Sequence, residues 1–180
     1  GLDSMLLGEY DIVAQVKQAY LQSARTKTAG PMLHQLFQRA IKASKIVRST
    51  TPIGTGITSL ARAAVEHAKL NTNNFMNQPV LVIGAGEMGQ KIGKYLAKEG
   101  VGNITFINRS LIRAQKVALE HGASALPLSE LTNALSKSNV VICATSSPDP
   151  VITKALLEKS LALRAAPGLH IIDLGVPRDV

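Results

Sequence analysis

Hydrophobic and polar positions follow different patterns on the two sides of residue 78. Before it, apolar residues recur three and four positions apart, which is the period of amphipathic α-helices. This spacing predicts helices over residues 9–24, from Pro31 to about residue 45, and over residues 58–70. Pro31 suits a first helical position, because its φ is preset and it has no N–H to satisfy. After residue 78, short continuous apolar runs alternate with helical patterns.

Those apolar runs predict five strands, over residues 79–84, 103–107, 124–126, 139–143 and 169–173, and the first and fourth are predicted to be buried. Helical patterns separate them, and one of these, residues 129–136, is predicted to begin with Ser129 as its N-cap. Strands that alternate with helices favour an α/β fold with a right-handed, doubly wound parallel sheet of Rossmann type, here preceded by a small helical segment. We predict a helical part over 1–50, a linking helix and loop over 51–78, and a Rossmann domain over 79–180.

Three glycines follow the first apolar run directly. Gly84, Gly86 and Gly89 spell G-x-G-x-x-G between a strand and a helix. In a dinucleotide-binding turn the first glycine permits the tight turn, the second lets the backbone approach a pyrophosphate, and the third lets helix and strand pack closely. The helix start, with Glu87 and Met88 in its first turn, offers free N–H groups to phosphates. The motif in this context predicts a dinucleotide site, and a purely structural turn is the alternative.

The residues after the second apolar run indicate which dinucleotide is bound. An NAD site usually has Asp or Glu about 20 residues after the motif, to accept from the ribose 2′-hydroxyl. This sequence has Asn108, Arg109 and Ser110 there, with Arg113 one turn further on. A guanidinium can hold a 2′-phosphate with its planar fork, so the pattern predicts NADP(H). A solvated basic helix start is the alternative.

Two further loops are predicted to line the cofactor, because ligands of doubly wound sheets bind at the carboxyl ends of the strands. Thr145, Ser146 and Ser147 follow the fourth predicted strand, and Gly175 and Val176 follow the fifth. We expect these residues on the ribose and nicotinamide side of the dinucleotide.

Composition limits the remaining chemistry. The 180 residues are 46% hydrophobic, and their net charge of +8 would suit a polyanionic partner such as RNA. A single cysteine excludes a disulfide framework and a cysteine-built metal site, and Cys143, inside an apolar run, is predicted to be a buried core thiol. The four histidines have no metal-ligand spacing, so we predict no metal. No apolar run approaches membrane-spanning length.

Several short motifs follow one another along the chain. In order they are Leu2-Asp-Ser-Met5, Leu7-Gly-Glu9, Gln15-Val-Lys17, Val47-Arg48 with Ile53-Gly54, Val82 to Gly89, Asn108-Arg109, Thr145 to Pro148 and Asp173 to Asp179. Together they resemble one known family, glutamyl-tRNA reductase. The glycine motif is unspecific, but the first three segments followed by Val-Pro-Arg-Asp are specific to this family. The resemblance covers nearly the whole chain.

The resemblance implies an NADPH-dependent oxidoreductase acting on an oxo group. Such enzymes reduce glutamate esterified to its tRNA to glutamate-1-semialdehyde in tetrapyrrole (porphyrin) biosynthesis, through a cysteine thioester and hydride transfer. The catalytic cysteine is expected upstream of Gly1, so the chain alone is expected to be inactive and to contain no catalytic residue. Glu9 and Gln15 match substrate-binding positions of the family, whereas their spacing alone indicates solvated helix residues. Residues 1–50 would then be the end of the catalytic, glutamate-recognition domain.

The resemblance also implies partners and leaves two alternatives open. The implied partners are glutamyl-tRNA, a second copy in a homodimer, and contact with the aminomutase that follows in the pathway, all in the cytoplasm and without a membrane. One alternative is a shikimate-dehydrogenase-like NADP oxidoreductase, which predicts a catalytic Lys/Asp pair in the N-terminal part. The other is a non-catalytic NADP-binding module whose basic helices hold a partner.

Overall fold

The structure, a computed structural model, describes residues 6–53, 59–165 and 168–180. The chain divides into two compact units, Gly1–Ala63 and Ala64–Val180. The motif at residues 2–5, Gly54 of the motif that follows Arg48, and the predicted helix start at residue 58 lie outside the described residues.

The first unit contains two long helices, α1 (Tyr10–Arg25) and α2 (Pro31–Thr50). Pro31 is the first residue of α2, as predicted, and the helix runs five residues beyond the predicted end. The ring of Tyr20 stacks on that of Phe37 at 5.6 Å between centroids, and its hydroxyl lies 3.0 Å from Nδ1 of His34. Neither helix has a fully buried residue, so side-chain contacts such as this one join them, rather than a closed core.

The division between the units falls within α3 (Leu60–Leu70). The second unit is built on a five-stranded parallel sheet in the order β3-β2-β1-β4-β5. Its strands are β1 (Val80–Ile83), β2 (Ile104–Asn108), β3 (Ser124–Pro127), β4 (Val140–Cys143) and β5 (His170–Asp173). Its helices are α4 (Glu87–Lys98), α5 (Leu111–His121), α6 (Leu131–Lys137) and α7 (Lys154–Ala162). The predicted doubly wound Rossmann-type sheet, with its order reversing between β1 and β4, is therefore confirmed.

The core lies on the central strands, since every residue of β1 and β4 is buried. Leu81, Ile107 and Leu135 pack in one cluster with Cys143, which is fully buried, as predicted. Continuous apolar runs produce strands of this kind because helices cover both faces of a parallel sheet.

One local prediction was wrong, the N-cap role of Ser129. The chain enters a 3-10 turn over Leu128–Glu130 directly after Pro127, and α6 begins only at Leu131. Ser129 therefore lies inside the turn, and Glu130 occupies the cap position without a side-chain bond to the helix.

Candidate dinucleotide-binding site

The glycine turn between β1 and α4 is shaped by close backbone contacts. Gly84 has a φ of +109°, and a Cβ there would lie 2.4 Å from the carbonyl oxygen of Ala144, at the end of the neighbouring strand. A Cβ on Gly89 would lie 2.1 Å from the carbonyl oxygen of Gly84. Both positions therefore exclude any side chain. Because glycine has none, the first turn of α4 can pack directly against the end of β1.

The second glycine of the motif is in a different environment. Gly86 is the exposed N-cap residue of α4, and a Cβ placed on it would meet no atom within 4 Å. Protein packing therefore does not require a glycine here. Glu87 is exposed and Met88 half-buried in the first turn that follows. The open space before the N-terminus of this twelve-residue helix is where a phosphate would approach the backbone N–H groups.

At the end of β2, Asn108 connects two loops. Its Oδ1 accepts from the backbone N–H of Ala85 at 3.4 Å, and its Nδ2 donates to the carbonyl oxygen of Ser110 at 3.1 Å. This side chain holds the glycine turn beside the end of β2. Asn108, predicted to contact the cofactor, thus also has a structural role. The sequence does not indicate this role, because Asn108 and Ala85 are 23 positions apart.

The basic residues that follow Asn108 are available to a ligand. The side chain of Arg109 is exposed and forms no ion pair within the described part of the chain. Ser110 is the N-cap residue of α5, and its side chain makes no cap hydrogen bond. Arg113 is exposed on the first turn of the same helix. Donors that the described residues do not use therefore lie beside the glycine turn.

The ends of β4 and β5 are tied together by two carboxylates. Asp179 is fully buried and accepts hydrogen bonds from the N–H and hydroxyl of Thr145. Asp173 accepts from the N–H of Gly175 at 2.8 Å, and Gly175 is buried. The neighbouring residues Ser146 and Val176 are exposed, and Ser147 donates its N–H to the hydroxyl of Thr145 at 3.0 Å. Asp179 was not predicted as a site residue, although it ends one of the motifs.

Cys143 lies in this region but is not available for chemistry. Burial raises the pKa of its thiol, and the negative charges of Asp179 and Asp173 raise it further. A thiol held protonated in a core strand is a poor nucleophile, since the thiolate is the reactive form. Among the described residues, no three His, Cys, Asp or Glu side chains are grouped as metal ligands would be. None of the described helices is long and apolar enough to cross a membrane.

The two predicted substrate residues lie in the first unit. Glu9 is the half-buried N-cap residue of α1, and its carbonyl oxygen accepts from Nη2 of Arg48 at 2.8 Å. The Arg48 guanidinium lies 4.1 Å from the centroid of the Tyr10 ring. Gln15 is exposed on α1. Their role in binding glutamate stays a prediction.

Sequence models of two protein families match the two parts of the chain. The chain belongs to the Shikimate / quinate 5-dehydrogenase family, whose sequence model matches residues 66–180. A second model, the N-terminal domain of glutamyl-tRNA(Glu) reductase, matches residues 1–51. A dehydrogenase-type nucleotide-binding region therefore follows a segment typical of that reductase.

Over its whole length the chain resembles one particular enzyme, as the motifs predicted. It is 40% identical over 180 residues to glutamyl-tRNA reductase of Idiomarina loihiensis and 39% identical to that of Shewanella amazonensis. It also aligns over 100% of its length, at 40% identity and a TM-score of 0.64, with the structure of glutamyl-tRNA reductase from Methanopyrus kandleri, of which it covers 45%. The chain spans 43% of the length of those curated relatives.

A second solved structure supports the fold alone. The nucleotide-binding domain of glutamyl-tRNA reductase from Thermoplasma volcanium is 21% identical, with a TM-score of 0.55, over 69% of this chain and 80% of that one. The resemblance to glutamyl-tRNA reductase is thus confirmed by the sequence relatives and by the Methanopyrus structure.

Proposed function

We propose that this chain binds NADPH at the carboxyl ends of β1, β2, β4 and β5 and serves as the cofactor-binding part of a glutamyl-tRNA reductase. The observation that carries the choice of NADPH is Arg109, an exposed guanidinium that forms no ion pair with the described residues. It stands at the place where NAD-binding domains usually have an acid. The identity of about 40% over all 180 residues supports the choice of enzyme.

The residues at the site fit a dinucleotide in three parts. The open space before Gly86 and the first turn of α4 would take the pyrophosphate. Arg109, with Ser110 and Arg113, would take the 2′-phosphate of the adenosine half. The loops after β4 and β5 would then border the nicotinamide half, because the strand order reverses between β1 and β4.

The bound coenzyme would supply a hydride to the carbonyl carbon of the glutamyl thioester, the C–S bond would break with release of the cysteine thiolate, and the product would be glutamate-1-semialdehyde. The chain's own part is to hold and orient the coenzyme. Cys143 is unsuited to form the thioester, since it is buried and burial raises the pKa of its thiol. We therefore propose that the nucleophile of the complete enzyme is a cysteine outside this sequence, and that Glu9 and Gln15 contribute to recognition of the glutamyl group.

The proposed partners follow from the proposed enzyme. They are glutamyl-tRNA as substrate, a second copy in a homodimer and the aminomutase that consumes the semialdehyde, in the cytoplasm. The predicted domain boundaries, at residues 50 and 78, are likewise proposals. The first is one residue from the end of the reductase match at residue 51, and the dehydrogenase match begins earlier than the second, at residue 66.

A shikimate-dehydrogenase-like activity is the less favoured alternative. The match to that family covers residues 66–180, which is the nucleotide-binding part, and leaves the first 65 residues unmatched. Residues 1–51 match the reductase N-terminal domain instead. An enzyme of the alternative class would place its substrate in the region where this chain resembles the reductase.

The choice of coenzyme is tested by replacing Arg109 with Ala and titrating NADPH and NADH by calorimetry. Losing a charge-assisted phosphate contact costs about 1.5–3 kcal/mol, so the dissociation constant for NADPH should rise by about 10- to 150-fold. The constant for NADH, which lacks the 2′-phosphate, should change little. Arg39→Ala, an exposed arginine on α2, is the matched control and should change neither.

Equal losses for the two coenzymes in Arg109→Ala would show that Arg109 does not recognise the phosphate. The assignment of the nucleophile has its own test, in which the chain is incubated with NADPH and glutamyl-tRNA. No semialdehyde should form, and clear turnover would contradict the view that the nucleophile lies outside this sequence.

A further inference from the structure

Asp179 makes a set of hydrogen bonds that the predicted cofactor contacts do not account for. It is fully buried, and its Oδ2 accepts from the backbone N–H of Thr145 at 3.0 Å while its Oδ1 accepts from the Thr145 hydroxyl. Its own carbonyl oxygen accepts from the N–H of Ile152 at 2.8 Å. One residue near the end of the described chain thus fixes two points of the loop that follows β4.

A second carboxylate orients the first. Oδ2 of Asp173, the last residue of β5, accepts from the N–H of Asp179 at 2.9 Å, and its Oδ1 accepts from the N–H of Gly175 at 2.8 Å. Gly175 lies against the Asp179 carboxylate so closely that a Cβ on it would be 2.6 Å from Oδ2. The loop after β5 is therefore folded back, and its buried carboxylate faces the loop after β4.

This network adjoins the glycine turn. In the sheet register Ile83 pairs with Cys143, and Cys143 pairs with Asp173, so β1, β4 and β5 end side by side. A Cβ on Gly84 would lie 3.3 Å from Cγ2 of Thr145. The residue that Asp179 holds is thus in contact distance of the turn proposed to carry the pyrophosphate, on the side away from Arg109 and β2.

We propose that Asp179 is a positioning residue for the nicotinamide half of the coenzyme, and this inference rests on the proposed function. By accepting both donors of Thr145, it sets the path of the loop over 145–147 and joins it to Gly175 and Val176. The two loops then form one rigid border for the nicotinamide ribose and ring. Rigid support of this kind favours binding because less loop freedom is lost when the ligand orders the site.

The experiment compares binding of the whole coenzyme with binding of its adenosine half alone. NADPH and 2′,5′-ADP, which carries the phosphorylated adenosine but no nicotinamide, are titrated against the 180-residue chain and its Asp179→Asn variant. The variant keeps the side-chain shape but presents an NH2 group to one of the Thr145 donors. Its dissociation constant for NADPH should rise about tenfold, while that for 2′,5′-ADP should change by less than about twofold.

A second pair of variants decides the question if Asp179→Asn does not fold. Thr145→Val removes the hydroxyl donor at nearly constant shape, and Thr145→Ser restores it. NADPH binding should weaken in the first and recover in the second, again with 2′,5′-ADP unaffected. Arg109→Ala should give a different result, because it should weaken the binding of both NADPH and 2′,5′-ADP.

Two results would overturn the role of Asp179. One is a lower melting temperature with unchanged NADPH affinity, which would make the network purely structural. The other is an equal loss for NADPH and 2′,5′-ADP, which would indicate a general loosening of the fold. If the unmodified chain binds neither ligand, the proposed function itself fails, and this outcome is distinct from both.

Discussion

The two ends of one parallel sheet differ in how their polar groups are used. At the amino end, where β1, β4 and β5 begin, several polar side chains bond to each other or to backbone oxygens. Arg164 donates to the carbonyl oxygens of Leu135, Ser138 and Gly168 and to Oδ1 of Asn139. At the carboxyl end, Arg109 and Arg113 are exposed and Gly86 faces open space. A donor without a protein partner indicates a ligand site better than a donor already in a network does.

The amino end of the sheet also contains a cleft. A cleft of about 580 Å³ opens there, bordered by residues that include His67, Gln78, Asn139 and His170. The Asn139 amide nitrogen donates to Gln78 at 2.6 Å, and the two imidazole rings meet edge-on at 5.3 Å. These groups already contact one another, and none of them lies near the glycine turn at the other end of the strands.

Among substitutions at the two ends of the sheet, Gly89→Ala, at the carboxyl end, is expected to have the largest effect on stability and on NADPH binding. The added Cβ would meet the backbone oxygen of Gly84 at 2.1 Å, so α4 must move. Overpacking against backbone should lower the free energy of unfolding by about 3 kcal/mol and remove measurable NADPH binding. Urea unfolding and a coenzyme titration measure the two effects.

Gly86→Ala and Gly102→Ala are the matched controls for that change. A Cβ meets no atom within 4 Å at either position, so both variants should unfold close to the unmodified chain. Gly86→Ala should still weaken NADPH, because its methyl group would enter the space proposed for the pyrophosphate, whereas Gly102→Ala should not. NADPH binding unaffected by Gly86→Ala would contradict that position of the phosphates.

At the amino end, Arg164→Ala is expected to have a smaller effect, which lowers stability but leaves NADPH binding unchanged. Four oxygen acceptors would lose their donor, which should lower the free energy of unfolding by about 2 kcal/mol. Because these bonds lie at the end away from the glycine turn, the affinity for NADPH should not change. Lys159→Ala, an exposed lysine on α7, serves as the control in urea unfolding. A lower affinity for NADPH in Arg164→Ala would contradict the view that the two ends of the sheet have separate roles.

The smallest effect concerns the pH dependence of stability at the amino end. Burial lowers the pKa of His170 below 6.5, and the neighbouring His67 lowers it further. The unfolded chain then binds the proton more tightly than the folded one, so the contribution of His170 to stability is complete above pH 6.5 and is lost as the pH falls toward the lower folded pKa. His170→Gln should flatten urea-unfolding stability over this interval, and an unchanged slope would contradict the assignment.

Much of the second unit could be predicted from the sequence, because local patterns determine it. The apolar runs placed all five strands within one or two residues, and the glycine spacing placed the turn. Ser129 was misassigned because a 3-10 turn after Pro127 and a helix start have the same local composition. Asp179 could not be found by spacing, since its partner Thr145 is 34 residues away and only the parallel pairing of β4 with β5 brings them together.

We propose above all that the carboxyl end of the sheet binds a dinucleotide bearing a 2′-phosphate. The decisive experiment is a calorimetric titration of the unmodified chain with NADPH and, in parallel, with NADH. We expect both to bind, with NADPH tighter by about tenfold or more, because only NADPH offers Arg109 a phosphate. Equal affinities, or no heat from either coenzyme at millimolar concentration, would contradict the claim.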